Sequence, residues 1–533
     1  MEYSTQGTTA AGRYEALVSS RSVYDREAKE SSKLTIPSLI PEQTSGTRAR
    51  IKTPFQATGS RGVNSLSNKL LMTLLPPSTA FFKLEIDDLE IRKQGQEQMQ
   101  SEIDKGLRTI ENALMNQIEI SNDRVAMFEA LKHLIVSGNV LLYLTDAGLK
   151  VYPLSKFVCK RDEMGNVLEI LVKETIHPQA LPAAFLEQIK KKDNYDAKTM
   201  ADDLDIYTHV KRINDDVFWF QECKGEKIPN TDGRSKLDVS PWIGPLRLIR
   251  CDGEDYGRGY VEEYRGDLIS LESLMQAIIE GAAASAKTLF LVNPNGVTRA
   301  ATISKAPNGA VREGLASDIS VMQVGKSGDF SIAFSAIQRI EARLEFAFLM
   351  ARSVQRDAER VTAAEINLMA QELENSLGGV YSTLTQSFQL PYLKRRMHML
   401  VRQGKVPKLP DDLITPKIVT GLQGLGRGND RNKLIEFIGT VAQALGPDVM
   451  RQYVNVDEAV KRLATSIGID TANLVKTQEE IQAEQQAMQQ QQLIQSLGPA
   501  ALGSPLVDPK KLSDAAASQQ QPMEDPNANQ EAQ

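Results

Sequence analysis

Residues able to carry chemistry are present in this chain, and their spacing decides what they can do. Gly325-Lys326-Ser327 resembles the end of a phosphate-binding loop. The G-x-x-x-x-G-K-[ST] pattern needs a glycine five residues before Gly325, where the backbone wraps around phosphate. That position is Ser320, so no nucleotide is expected there. Gly424-Leu425-Gly426-Arg427-Gly428 follows no strand and has no acidic ribose partner in a βαβ context, so a loop joining helices is expected instead of a dinucleotide site. His133, His177, His209 and His398 are scattered without an H-E-x-x-H motif. Cys159, Cys223 and Cys251 are far apart and form no C-x-x-C, so reduced thiols are expected, with no disulfide scaffold, zinc site or other metal. Asp252-Gly253-Glu254-Asp255 could hold a hard cation; the competing reading is an acidic turn ahead of a helix. No G-x-S-x-G elbow occurs. No catalytic residue and no cofactor is therefore expected.

The elements point elsewhere. From Tyr260 to about Ala286, Val261, Tyr264, Leu268, Leu271, Met275, Ile278, Ala282 and Ser285 alternate three and four apart, which predicts a helix packed on a helix. Its length would be roughly 40 Å. An ordinary core helix satisfies that pattern equally. Leu289–Val292 and Ile319–Val324 are strand-like, and Asn293-Pro294-Asn295-Gly296 and Pro307-Asn308-Gly309 are turn sequences. Helical period resumes at Ile332, with Ile337, Ile340, Leu344 and Ala347 on one face. Arg339 and Arg343 fall on a second face, Glu341 and Glu345 on a third. The segment Ser353–Val361 interrupts the helices and carries Arg356, Asp357, Glu359 and Arg360. Thr362 and Glu365 form a capping box for a third helix, striped by Ile366, Met369, Leu373, Leu377, Val380, Leu384 and Phe388. Gly378-Gly379 lies within that stripe and predicts a bend, and Pro391 should limit or kink its far end. No enzyme site needs this order of elements. A ring around a channel does: two helices line it, a hairpin caps one end and a loop enters the bore.

Charge supports a conduit. The 533 residues hold 62 Lys+Arg and 68 Asp+Glu, a net charge of −6. From Thr477 onward there are five Glu and three Asp against two Lys, which accounts for the whole excess, so the body is neutral. A protein gripping a nucleic-acid backbone carries a basic excess. No charged-then-apolar leader and no run of about 18 apolar residues is present, so no membrane association is expected.

Elsewhere, helices are expected at about 12–32, 64–75, 102–119 and 125–136. Val140–Leu144 is a buried strand by its apolar run, and strands predominate to about Ile249, with hairpin turns at Gly165-Asn166 and Asn214-Asp215-Asp216. Helical period returns at 432–445 and 456–467. The Gln- and Ala-rich end lacks the apolar surface to fold alone.

Several stretches, in order, resemble the portal (head-to-tail connector) proteins of short-tailed, podovirus-type phages. They are Thr53–Ala57 through Arg61–Asn64, Phe128–Lys132 through Ser137–Leu144, Asp252–Glu254 through Tyr256–Arg258, Glu359–Ala363 through Glu365-Ile366, Leu377–Ser382, and Gly424 through Gly428. The resemblance implies a mixed, mainly α fold with an α+β wing, assembled as a ring, expected to be a homododecamer. It would sit at one capsid vertex of the virion after assembly in the host cytoplasm. Double-stranded DNA would be packaged and later ejected through its channel without sequence recognition. Implied partners are the packaging terminase, scaffolding and major capsid proteins, internal core proteins and the tail adaptor. The implied divisions are a wing at 1–257, a first stem helix at 258–288, a clip at 289–330 and a second stem helix at 331–353. A tunnel loop at 354–361, a long bent wing helix at 362–404, a crown at 405–475 and a tail at 476–533 follow. Stem packing would fall to Leu268, Leu271, Met275, Ile278, Ile337, Ile340 and Leu344, and the helix bend to Gly378 and Gly379. Arg356 and Arg360 could form cationic collars facing DNA, or pair with Asp357, Glu359 or neighbouring subunits. Two other classes stay open: another virion structural protein, such as a tail adaptor or internal core scaffold, and a nuclease or ATPase using the acidic turns.

Overall fold

The computed structural model describes residues 9–41, 51–77, 81–85, 100–193, 203–285, 289–307, 309–322, 327–350, 363–406, 417–419, 427–445 and 459. Arg356, Arg360, the Thr362 cap, Gly325-Lys326, Gly424–Gly426, the expected helix at 456–467 except residue 459, and the tail lie outside them. The principal helices are α1 Ala10–Leu34, α2 Thr58–Leu74, α3 Gln100–Ile120, α4 Asp123–Ser137, α5 Ala183–Asp193, α6 Arg265–Ser285, α7 Ser327–Ala347, α8 Ala363–Ser376, α9 Leu390–Arg402 and α10 Arg427–Leu445. The strands β1 Lys83–Glu85, β2 Asn139–Thr145, β3 Gly148–Pro153, β4 Phe157–Arg161, β5 Val167–Ile176, β6 Leu204–Ile213, β7 Asp216–Cys223, β8 Glu226–Lys227, β9 Gly233–Lys236, β10 Trp242–Arg247, β11 Leu289–Val292, β12 Ile319–Met322 and β13 Lys417–Val419 complete the regular structure. The fold is mixed, with helix in the majority. Two compact units divide the chain, Met1–Asn429 and Asp430–Gln533. In the second, residues 430–445 belong to α10 and expose Ile435 and Phe437.

Within the first unit, β10-β2-β3 form an antiparallel three-stranded sheet, and β4-β5-β6-β7-β8 a larger one, with β9 also on β7. The larger sheet follows from two tight turns: Asn214 takes φ 54° between β6 and β7, and Gly165 takes φ 83° between β4 and β5. Both are left-handed positions that Asn and Gly occupy most readily. α1 lies on this sheet and is pinned there by charge. The two Glu222 carboxylate oxygens accept the Ala10 N–H, at 2.9 and 3.0 Å. Arg13 donates to Glu169 at 2.9 Å, and His209 Nε2 lies 2.6 Å from the other oxygen of that carboxylate. These contacts hold the Glu169 carboxyl at about 2, its own burial opposing the shift and the His209 and Arg13 hydrogen bonds driving it.

α2 runs through the main core. Val63, Leu66, Leu70 and Leu74 are fully buried, each contributing about 1.5–3 kcal/mol by area removed from water. The helix starts at Thr58, earlier than apolar period alone indicates. Gln56 sets that start: its Oε1 accepts the Gly59 N–H at 2.8 Å while its Nε2 donates to Leu34 O at 2.6 Å.

Behind α4 lies a buried ionic knot. Asp123, fully buried, accepts from Arg396 Nε at 3.1 Å and from Arg396 Nη2, and from the Tyr392 hydroxyl at 2.5 Å. Its other oxygen accepts the Leu149 N–H at 3.1 Å. One carboxylate at the start of α4 thus ties α9 to β3. Burial and the adjacent Asp123 charge raise the Tyr392 phenol, keeping it a donor. Replacing Arg396 with Leu is expected to leave Asp123 charged and unpaired, at about 3–5 kcal/mol. Native-state hydrogen exchange of α4 and α9 amides should report it; unchanged protection would contradict that assignment.

Candidate functional site

The distinctive feature of the molecule is a helical hairpin. Arg343 Nη2 donates to Asp267 Oδ1 at 2.7 Å near one end, and a Cβ on Gly281 would meet the Phe330 ring at 2.8 Å near the other. Moving from 267 to 281 along α6 accompanies moving back from 343 to 330 along α7, so the helices run antiparallel. Twenty-one residues each make them roughly 32 Å long. Between them Leu268, Leu271, Ile337 and Leu344 are buried, and Met275, Ile278 and Ile340 are half-buried against the same core. Beyond α6 the chain forms β11, which pairs antiparallel with β12 from Leu289↔Met322 to Val292↔Ile319. Turns between these strands are closed by Asn293, whose side chain accepts the Asn295 N–H, and by Thr298, whose N–H donates to Asp318 at 3.1 Å.

The first helix is not continuous from Tyr260. A short turn, Tyr260–Glu263, ends at Tyr264, and α6 begins at Arg265. The reason is an aromatic joint. Tyr260, Tyr264 and Phe348 meet with centroids 5.2–5.7 Å apart, and the Tyr260 hydroxyl donates to Ala347 O at 2.9 Å. Burial, with the Tyr264 hydroxyl nearby, raises the Tyr260 phenol and keeps that donor protonated. Phe348 lies over Gly62 of α2, where a Cβ would come within 2.7 Å of the ring. The next residue, Leu349, takes φ 53° and is buried, a strained conformation for a branched side chain that its packing maintains.

Three further polar joints fix the hairpin to the body. Glu272 on α6 accepts the N–H groups of Phe55 and Gln56 at 2.9 and 3.2 Å. Asn139 bonds both backbone groups of Gly257: its Nδ2 donates to Gly257 O at 2.6 Å and its Oδ1 accepts the Gly257 N–H at 2.7 Å. Arg265 pairs with Glu27 and Glu30 of α1. Separation of 118 residues hides the Asn139–Gly257 pair from sequence reading; only the clustering of Ser137-Gly138-Asn139 and Tyr256-Gly257-Arg258 within family-like stretches pointed to either.

Other residues with chemical potential are structurally occupied. Asp255 accepts from Lys160 Nζ and the Arg161 N–H, and Glu254 from Arg258, so the acidic turn is an ion-paired connection instead of a cation cradle. Burial raises the Cys159 thiol to about 11. Among the described residues, no group of three His, Cys, Asp or Glu could hold a metal ion, and no helix is long and apolar enough to cross a membrane.

Gly378 and Gly379 take φ 57° and 87°. They end α8 at Ser376 and start a short helix at Val380, a break sharper than the expected bend. Ser382 donates its N–H and hydroxyl to Glu374 across the break, at 3.0 and 2.6 Å. Pro391 does not end the helical course. A π-helical turn, Thr385–Gln389, runs directly into α9, which continues through Pro391 to Arg402; the irregular turn lies just before the residue that has no N–H to give to a regular α-helical ladder.

The family described as bacteriophage head to tail connecting protein matches residues 7–475. The chain belongs to this family. It is 39% identical over 500 residues to the portal protein of Escherichia phage T7, covering 92% of each chain. It is 39% identical over 482 residues to that of Enterobacteria phage T3, covering 89% of each. To that of Enterobacteria phage SP6 it is 30% identical over 518 residues, covering 94% of this chain and 96% of the relative. The matched span of the connecting protein contains the hairpin, its joint and the body sheets.

Phe348→Ala is expected to destabilise the joint of this connecting protein by about 3–5 kcal/mol, because the Gly62 backbone cannot close the void. Faster hydrogen exchange at the proximal ends of α6 and α7 should accompany a lower unfolding temperature. Unaltered exchange there would show that Phe348 does not hold the hairpin.

Proposed function

We propose that this connecting protein assembles as a dodecameric ring at one capsid vertex, with an axial channel for double-stranded DNA. The observation that carries this reading is the α6–α7 hairpin. It has a buried seam and a rigid joint, yet Ile332, Phe334 and Phe346 are 74%, 56% and 84% exposed on a single chain. Large apolar residues this exposed on an ordered helix call for a covering surface, and a neighbouring copy supplies one. In this reading residues 258–288 and 331–353 are the stem, 289–330 the clip, 354–361 the tunnel loop, 362–404 the broken wing helix, 405–475 the crown and 1–257 the wing. The clip docks the packaging terminase during filling and the tail adaptor afterwards. Scaffolding, major capsid and internal core proteins surround the ring. The body of each subunit carries no basic excess, so on this reading DNA slides through the bore without being gripped along its length.

Negative-stain electron microscopy of the purified chain should show rings with a wide axial hole and a peripheral wing. Compact particles without a hole would instead favour a tail adaptor or internal scaffold.

On this reading Arg356 and Arg360 form the constriction of the channel as repeated cationic collars. The Arg356→Ala/Arg360→Ala double variant should form rings normally but fill particles poorly or lose packaged DNA. Normal filling and DNA retention would assign both arginines to their acidic neighbours.

A further inference from the structure

The exposed surface of α7 carries two stripes with the same spacing and opposite charge. Ile332, Arg339 and Arg343 follow at intervals of seven and four, and Phe334, Glu341 and Glu345 repeat those intervals two residues later. At about 100° per residue, the two stripes lie on opposite flanks of the helix, either side of the seam formed by Ile337 and Leu344. Phe346 extends the basic flank. Between the flanks, away from the seam, runs a strip of small or uncharged exposed residues: Ser331, Ser335, Gln338 and Ala342.

Intrachain contacts leave most of this charge available. Arg343 pairs with Asp267 at 2.7 Å while staying 64% exposed, and Glu341 receives only a 3.4 Å contact from the Thr58 hydroxyl. Arg339 is exposed and Glu345 half-exposed, and neither has an ion-pair partner among the described residues.

We infer that the basic flank of α7 in one copy docks on the acidic flank of α7 in the next, with Arg339 opposite Glu341 and Arg343 opposite Glu345. The inference rests on the ring reading above and adds the register of its joint. A rotation axis running along the hairpin places equivalent residues of neighbouring copies at one height. The two-residue offset between stripes is then about 3 Å of rise, within reach of an arginine side chain. Ile332 and Phe334 meet in the same register and exclude water from the pairs. A single exposed pair contributes little. Here the pairing recurs at every joint, and its main effect is to select one orientation and register over others.

The test uses two full-length variants, Arg339→Glu and Glu341→Lys, counted by native mass spectrometry. Each alone places like charges at every joint, and its ring fraction should fall at least about tenfold. An equimolar mixture should restore rings, with the two chains in equal numbers, because only alternation removes every repulsion. Rings from either variant at the unaltered level overturn the pairing, as does a mixture of folded variants that stays unassembled. Normal rings combined with lost binding of Arg339→Glu to a duplex DNA fragment would also overturn it, assigning the basic flank to DNA. If either reversal alters the far-UV spectrum, Arg339→Gln and Glu341→Gln replace them. Ring dissociation by salt should then weaken in both, and an unchanged salt dependence overturns the proposal. Absence of rings from the unaltered chain would remove the ring reading itself, a result distinct from all of these.

Discussion

Phe348 packed over Gly62 is the contact on which the rest of the arrangement depends. A glycine in mid-helix is normally unfavourable by about 1 kcal/mol against alanine. At Gly62 any side chain would strike the Phe348 ring, so the backbone of α2 itself forms the floor of the pocket. Because α2 is buried along its length, a ring seated on it is fixed to the centre of the body. Tyr260 and Tyr264 close the other sides, and the Tyr260 hydroxyl caps the carbonyl of Ala347. A hairpin roughly 32 Å long can act as a rigid arm only if its base cannot pivot, and this joint removes the pivot.

Polar groups then set direction. Apolar burial holds α6 and α7 against the body but leaves their rotation weakly specified. Glu272 bonding two N–H groups, Asn139 bonding both groups of Gly257, and Arg265 paired to α1 are directional, and each joins the region of the hairpin's base to a different part of the body. The Asp123–Arg396–Tyr392 knot does the same for α9. Removing one member of such a buried set is costly because the other is left unpaired. Oriented polar contacts of this kind are what a subunit needs if copies of it are to close on themselves at a fixed angle.

Much of the fold was legible from local pattern. The 3.6-residue period located α1, α3, α4, α6, α7 and α8, and alternation with Asn or Gly turns located the β4–β5 and β6–β7 hairpins, because both signals depend only on which face of an element meets the core. Legibility failed where a distant contact overrides the local rule. The Tyr264 break reflects a ring from residue 348. The start of α2 at Thr58 reflects a side chain at 56 bonded to a carbonyl at 34. Gly378-Gly379 was visible as a weak point, but whether two glycines bend or break a helix depends on their φ values, and Glu374 reaching Ser382 stabilises the break. The acidic turn at 252–255 offered a cation site by composition; the basic partners that occupy it come from β4 and from Arg258.

The sequence by itself determined the order of helices and strands, the neutral body, the apolar stripes and the two oppositely charged faces of α7, because periodicity and net charge are properties of neighbouring residues. It also carried the family stretches, without the reason those residues belong together. Tertiary structure alone decided that Glu272 meets Phe55-Gln56 and that Asn139 meets Gly257, that α6 and α7 are antiparallel with their seam buried, and that the charged flanks of α7 remain open. The physical reason is that burial and hydrogen-bond partnership are set by residues tens to hundreds of positions away, and a linear pattern holds no record of those distances.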